Sequence, residues 1–144
     1  MKETRYKADP KQPYGLHDCH INGMTISNDD LMITFEDKFT QINESGVPGL
    51  NVHGNIVIEG IDSDFCDVII QGEGGSMGAF RGERLTIPEF TEKYKEFRFE
   101  VINEYYGWQR LQYVGWLWMP DTNPKDITLI IGYFKGDVVY NTEE

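Results

Sequence analysis

Cysteine is scarce in this sequence, and long hydrophobic runs are absent. The two cysteines, Cys19 and Cys66, are too few for the disulfide framework of a small secreted domain. The longest aliphatic run, Ile127–Ile131, is far shorter than the roughly 20 residues that cross a membrane. The N-terminus also lacks the apolar segment of a secretory signal. We therefore expect a cytoplasmic protein that does not interact with a membrane.

Basic residues are the second shortage. Lysine and arginine total 13 against 24 aspartates and glutamates, which gives a net charge of -11 and an isoelectric point near 4.6. This charge repels phosphate backbones and anionic lipid surfaces, so nucleic acid is not an expected partner. A basic protein is the partner that the charge favours, because the electrostatic field steers cations toward the surface.

What the chain does contain is enough for one globular core. With 144 residues, of which 40% are hydrophobic, it is expected to form a single domain over residues 1–144. Residues 1–15 hold four basic residues and two prolines, a composition that predicts a loosely ordered N-terminal arm.

Short apolar segments alternate with turn residues along the rest of the chain, which is typical of an all-β fold. The class predicted is an antiparallel β-sandwich or flattened barrel, and a helical content above about a third would contradict it. The predicted strands are Cys19–Ser27, Leu31–Glu36, Phe39–Asn43, Val52–Ile61, Phe65–Gln71, Ala79–Ile87, Phe97–Tyr106, Gln109–Met119, Ile127–Phe134 and Val138–Asn141.

One segment departs from the strand pattern. Thr86 and Glu89 have the spacing of a capping box, and Pro88 suits the first turn of a helix. Aromatic residues then recur at helical spacing, at Phe90, Tyr94 and Phe97. The segment Thr86–Lys95 is therefore either a short helix or an irregular crossover between strands.

The residues Leu16–His20, LHDCH, are the densest group of metal-ligand and nucleophile types in the chain. The apolar residues that follow change phase at Gly23, which predicts a β-bulge there. Counting back by twos from Ile21 assigns the LHDCH side chains to two faces of a strand: inward for His17 and Cys19, outward for Asp18 and His20.

This division argues against chemistry at the LHDCH segment. A zinc site needs three or four ligands that converge at about 2.0–2.3 Å, and two residues on one face are not enough. Cys19 and His20 cannot form a nucleophile pair, because neighbours on a strand face opposite sides. We expect no catalytic residue, metal ligand or cofactor here. An enzyme or metalloprotein that uses His17, Cys19 and His53 is therefore the least favoured of the three functional hypotheses, and the two others are given below.

The aromatic residues of the C-terminal half are the candidate binding residues. Both faces of the strand Gln109–Met119 are apolar, so it is either covered on both sides or exposes an aromatic patch. The cover would be the Thr86–Tyr94 segment or the N-terminal arm, and an exposed patch would serve self-association or carbohydrate stacking. A hairpin tip is predicted around Gly107. The candidates are Tyr105, Tyr106, Trp108, Trp116 and Trp118.

The segment YGLHDCHINGMTISNDDLMITFED, residues 14–37, resembles the start of small uncharacterised bacterial all-β domains. The resemblance implies a β-fold and carries no activity with it. In size and acidity the chain also resembles immunity proteins that neutralise bacterial toxins. The first hypothesis is accordingly a non-catalytic acidic interaction domain with an immunity-like or regulatory role. The second is a small-ligand or carbohydrate-binding β-domain that uses exposed aromatic residues.

Overall fold

The computed structural model describes residues 1–6, 11–43, 45–72, 81–133 and 136–144. Strands dominate these residues, and α1, Ile87–Lys93, is the one α-helix among them. The strands are β1 Lys2–Tyr6, β2 Tyr14–Gly15, β3 His20–Ser27, β4 Asp30–Phe35, β5 Phe39–Ile42, β6 Pro48–Val52, β7 Gly54–Ile58, β8 Asp67–Gln71, β9 Gly82–Leu85, β10 Arg98–Gly107, β11 Arg110–Trp118, β12 Lys125–Gly132 and β13 Val138–Thr142.

Two antiparallel sheets contain these strands. The large sheet has ten strands in the order β1-β13-β7-β4-β3-β10-β11-β12-β8-β9, and the small sheet has the order β2-β5-β6. The chain is 8% helical, far below the third that would contradict an all-β class. The predicted fold class is therefore confirmed.

The large sheet folds over on itself. Tyr6 of β1 and Tyr106 of β10 lie five strands apart in the sheet order, which would separate them by about 24 Å in a flat sheet. Their ring centroids are 5.5 Å apart. The two halves of the sheet thus face each other across one hydrophobic core, as in a sandwich. The sheet is not closed, because β1 and β9 remain its edge strands among the described residues.

Helix α1 begins as the sequence predicts. The Thr86 hydroxyl accepts a hydrogen bond from the Glu89 amide, and the Glu89 carboxylate accepts one from the Thr86 amide. Phe90 is fully buried, and its ring contacts Tyr94 and Phe97 at centroid distances of 5.3 and 4.8 Å. The helix therefore closes part of the core. It is too short to cross a membrane, and no other described helix could do so.

Three predictions about individual segments were wrong. The arm predicted over residues 1–15 is not loose at residues 2–6, which form β1 and pair with β13, or at Tyr14–Gly15, which pair with β5. The predicted strand Val52–Ile61 is interrupted at His53, where the chain passes from the small sheet to the large one. Phe65 lies in a 3-10 turn before β8 instead of within the strand. The predicted strands Ala79–Ile87 and Ile127–Phe134 include residues 79–80 and 134, which lie outside the described residues.

The predicted bulge at Gly23 is confirmed. The pairing of β3 with β4 shifts register between Ile21 and Gly23, and Ile21 and Met24 are both buried on either side of the shift. Because one extra residue restores the phase, Ile21 and Met24 face the core on either side of the shift, whereas Ile26 near the end of the strand is 36% exposed.

Candidate functional site

The aromatic candidates do not all lie on one side of the β10–β11 hairpin. Tyr105 and Trp108 are 55% and 78% exposed, and Trp116 and Trp118 are 41% and 36% exposed. Tyr106 points inward instead, where its ring contacts Tyr6 and Tyr113 and burial raises its pKa well above the ordinary value. The structure thus leaves four of the five candidates exposed, and Tyr106 is partly buried and packs against the core.

The hairpin tip is where the sequence predicts it. Gly107 pairs with Arg110, so Trp108 and Gln109 form a two-residue turn, with Gln109 at a φ of 55°. The Tyr133 amide donates a 3.0 Å hydrogen bond to the Gln109 carbonyl. This bond fixes the tip to the end of β12, so Trp108 extends from an anchored turn.

Phe65 stands beside the tip and was missed in the sequence because it was assigned to a strand. Its side chain is 59% exposed. Asp62 caps its 3-10 turn by accepting the Asp64 amide, and the Phe65 amide bonds the Asp62 carbonyl at 2.9 Å. A Cβ built on Gly132 would lie 2.7 Å from the Phe65 Cβ, so only glycine at that position leaves room for the turn. Phe65 is therefore held in place by its backbone.

Phe65 and Trp108 line one groove, which we call the tip groove. It encloses about 400 Å³ and opens onto the outer face of the large sheet, the face turned away from the core. Its walls combine two exposed aromatic rings with both signs of charge: Asp64, Phe65, Asp67, Arg84, Trp108, Gln109, Arg110, Ile130 and Gly132. Such a mixture of aromatic and arginine side chains is typical of the central residues of protein interfaces.

The end of the molecule that carries the tip groove is rich in carboxylates. Backbone bonds from Ile61 to Asp29 and from Asp62 to Gly132 bring the β3–β4 turn and the end of β7 to the same place. Among the described residues, the carboxylates at this end outnumber the guanidinium groups, which belong to Arg5, Arg84 and Arg110. The carboxylates belong to Asp29, Asp30, Glu59, Asp62, Asp64, Asp67 and Asp137. Arg84 and Arg5 are already held by acidic partners.

The second exposed aromatic group, Trp116 and Trp118, lies farther along the outer face. Helix α1 packs against β3, β8 and β9 through its buried residues, so it does not cover this pair, contrary to one of the two alternatives the sequence left open. The indole N–H of Trp118 donates a 2.9 Å hydrogen bond to Oε1 of Glu100. The strand exposes an aromatic patch, as the other alternative predicts.

His20 lies next to this patch in a network of charged groups. Its Nδ1 is 2.7 Å from Oδ2 of Asp37, and its Nε2 is 4.0 Å from Oε1 of Glu100. With Glu36 and Asp37, His20 is the one group of three potential metal ligands among the described residues. Glu36, however, is held by Arg98, which also lowers the pKa of the Glu36 carboxyl. A metal ion would have to displace these existing contacts.

The LHDCH segment itself is a turn that leads into β3. His17 was predicted to point inward, and this was wrong: its side chain is 67% exposed, because the chain turns at Asp18, which has a φ of 66°. Cys19 is buried as predicted. The hypothesis built on His17, Cys19 and His53 gains no support, because they form no ligand group among the residues described.

Neither cysteine is poised as a nucleophile. Burial, followed by the nearby carboxylate of Asp37, raises the pKa of Cys19 to about 12. Burial likewise raises the pKa of Cys66, whose thiol donates to the Asp62 carbonyl at 3.2 Å. Since the thiolate is the reactive form, both residues serve as packing groups at neutral pH.

Comparison of the chain with protein-family models, with curated proteins and with solved structures finds no match.

Proposed function

We propose that this chain is a non-catalytic binding domain that recognises a basic segment of another protein through the tip groove. The observation that carries the proposal is the joint exposure of Phe65 and Trp108, at 59% and 78%, in one groove. Large aromatic side chains contribute binding energy when a partner removes them from water, and they contribute little to folding while they remain exposed.

The groove is preorganised, which favours binding over nonspecific adhesion. Phe65 sits on a turn fixed by Asp62 and Gly132, and Trp108 sits on a turn fixed by the bond between Tyr133 and Gln109. Little backbone freedom is therefore lost when a partner docks. Preorganised groups bind more tightly because association then removes less conformational entropy.

The charge around the groove supports a basic partner. Asp29 and Asp64 are exposed, and neither has an ion-pair partner among the residues that the structure describes. Together with the net charge of -11, they attract cations to the end of the molecule where the aromatic residues lie. Charge of this kind raises the association rate and selects the partner, while the aromatic groove holds it.

The proposal is tested by a quantitative pull-down from the lysate of the source cells. The purified chain serves as bait beside Phe65→Ser and Trp108→Ser variants. The matched control is Leu50→Ser, because Leu50 is 72% exposed on the small sheet, outside the groove. We expect each groove variant to lose the partner by about tenfold or more, since central interface aromatics typically contribute about 2 kcal/mol or more.

Two further measurements, the salt dependence of recovery and the recovery of an untagged copy of the chain, make the pull-down decisive. Recovery of the partner should fall as salt is raised, because screening weakens the acidic field. An untagged copy of the chain recovered by the tagged bait would show self-association instead. A partner retained equally by Phe65→Ser, Trp108→Ser and Leu50→Ser would reject the tip groove as the binding surface.

A further inference from the structure

Trp116 has a carboxylate beside it on both neighbouring strands. It pairs with Glu100 of β10 on one side and with Asp126 of β12 on the other. Residues directly opposite each other in an antiparallel pair point to the same face, with Cβ atoms about 4.5–5.5 Å apart. The exposed indole of Trp116 therefore lies in a row between two carboxyl groups on the outer face.

These two carboxyl groups lack a lysine or arginine partner among the described residues. Arg98, two residues before Glu100 on the same face, is bound to Glu36 instead. Glu100 is oriented by the indole N–H of Trp118 and approaches Nε2 of His20 at 4.0 Å, with its side chain only 20% exposed. Its negative charge is thus fixed in position and partly removed from solvent.

We propose that Trp116, Glu100 and Asp126 form a subsite for a lysine or arginine side chain. The face of an indole ring attracts a cation, and flanking carboxylates that lack a counterion strengthen the attraction. A neutral sugar would use the aromatic ring as well, but it would leave both carboxylates without a charge partner. Charge complementarity therefore favours the cation.

The subsite extends the proposed function and rests on it in one respect. The lysine or arginine that it binds belongs to the same basic segment that enters the tip groove. Trp108, in the hairpin turn, and Trp116, in β11, are eight residues apart in the chain, which is at most roughly 26 Å at about 3.3 Å per residue. The outer face runs between them without interruption through Gln112, Val114 and Thr128. An extended segment of about eight residues would span both positions.

The test uses hexalysine as the probe and the full chain labelled with nitrogen-15. The indole N–H signal of Trp116, assigned by its loss in Trp116→Phe, is followed during titration with the peptide. The Glu100→Gln/Asp126→Asn double variant should bind hexalysine about tenfold more weakly, because both flanking charges are gone. Cellobiose and a hexaglutamine peptide are titrated as neutral probes and should leave the signal unmoved.

The matched control is the Asp18→Asn/Asp121→Asn double variant, which has the same net charge. Both positions have positive φ, 66° and 61°, a conformation that asparagine tolerates. This variant should bind hexalysine within about twofold of wild type. Equal weakening in both double variants would show attraction by overall charge and overturn the subsite. A shift with cellobiose and none with hexalysine would overturn it in favour of a sugar.

The outcome is distinguishable from that of the proposed function. If the pull-down fails while hexalysine still discriminates between the double variants, the tip groove is rejected and the subsite is kept. If the pull-down succeeds while the double variants bind hexalysine equally, the subsite alone is rejected.

Discussion

The β10–β11 hairpin has an inner and an outer face, and the same two strands build both. On the inner face Phe99, Val101 and Tyr113 are completely buried. On the outer face, Trp116 and Trp118 retain more than a third of their surface in water. The outer face therefore contributes aromatic area that folding does not use. Inner-face residues of the hairpin stabilise the fold, and we propose that the alternating outer-face residues bind a partner.

The first way to test this comparison is to remove one buried phenyl ring from the inner face and one exposed phenyl ring from the 3-10 turn beside the hairpin tip. Phe99→Ala should lower the free energy of unfolding by about 3–5 kcal/mol, because the ring is fully buried and its loss leaves a cavity. Phe65→Ala removes the same group from a 59% exposed position and should change it by only about 0.5 kcal/mol. Urea denaturation measures both. Similar losses for the two variants would show that Phe65 belongs to the core.

The second test concerns the close approach of β10 and β11. A Cβ on Gly115 would overlap the carbonyl group of Glu100 and lie 3.0 Å from the Ile102 amide nitrogen. This contact is at the β10 bulge, where the register shifts between Val101 and Asn103. Gly115→Ala should therefore destabilise the protein by about 1–3 kcal/mol, as overpacking does.

The control for Gly115→Ala lies in the same hairpin. At Gly107 the nearest atom to an added Cβ is the Arg110 carbonyl oxygen at 3.8 Å, an ordinary contact. Gly107→Ala should leave the midpoint of thermal unfolding nearly unchanged. An equal fall in both variants would mean that glycine acts through backbone freedom in the hairpin and not through strand contact at the bulge.

Sequence periodicity predicted which residues share a face, but it did not predict which face is covered. Strict alternation along Gln109–Met119 puts Leu111, Tyr113 and Leu117 on one side of the strand and Trp116 and Trp118 on the other, as the structure has them. Both sides are apolar, however, so burial depended on where α1 packs. That contact is between residues far apart in the chain, and no local pattern encodes it.

The same limit applies to the candidate site. Tyr105 and Trp108 were predicted near a hairpin tip because glycine and alternation mark such turns. Phe65 was missed because its neighbours Val68 and Ile70 extend a strand pattern back to it. Only the fit of the 3-10 turn against Gly132 reveals its exposure. The inward position of Tyr106 follows from the β10 bulge, which the sequence of that strand does not mark.

The third test uses the polar group that the bulge turns inward. Glu104 accepts hydrogen bonds from the Leu16 amide and the Tyr106 hydroxyl, and burial raises its pKa above the ordinary value. The folded protein therefore holds this proton more tightly than the unfolded chain. Stability falls as pH rises from about 4.3, the ordinary carboxyl value, through the raised folded pKa. Glu104→Gln imitates the protonated form, so its stability relative to wild type should increase across that range.

Glu83 provides a control of opposite sign for Glu104. Lys93 and then Tyr94 stabilise its carboxylate through hydrogen bonds, so its pKa is lowered in the folded state. Its contribution is present above the ordinary carboxyl pKa and disappears as pH falls through the lowered value. Glu83→Gln should therefore lose stability relative to wild type as pH rises. Parallel pH profiles for the two variants would contradict the burial of Glu104.

The smallest expected effect on stability lies on the outer face, and it separates the two tasks most sharply. Trp116→Ser should change the free energy of unfolding by only about 0.5 kcal/mol, because its indole is 41% exposed. Leu117→Ser, one residue further and 1% exposed, should lose about 2–5 kcal/mol. Hexalysine binding should show the reverse order: weakened by Trp116→Ser and retained by Leu117→Ser under conditions where that variant stays folded. Loss of binding in both, or in neither, would mean that the outer face has no recognition role distinct from the stability of the sheet beneath it.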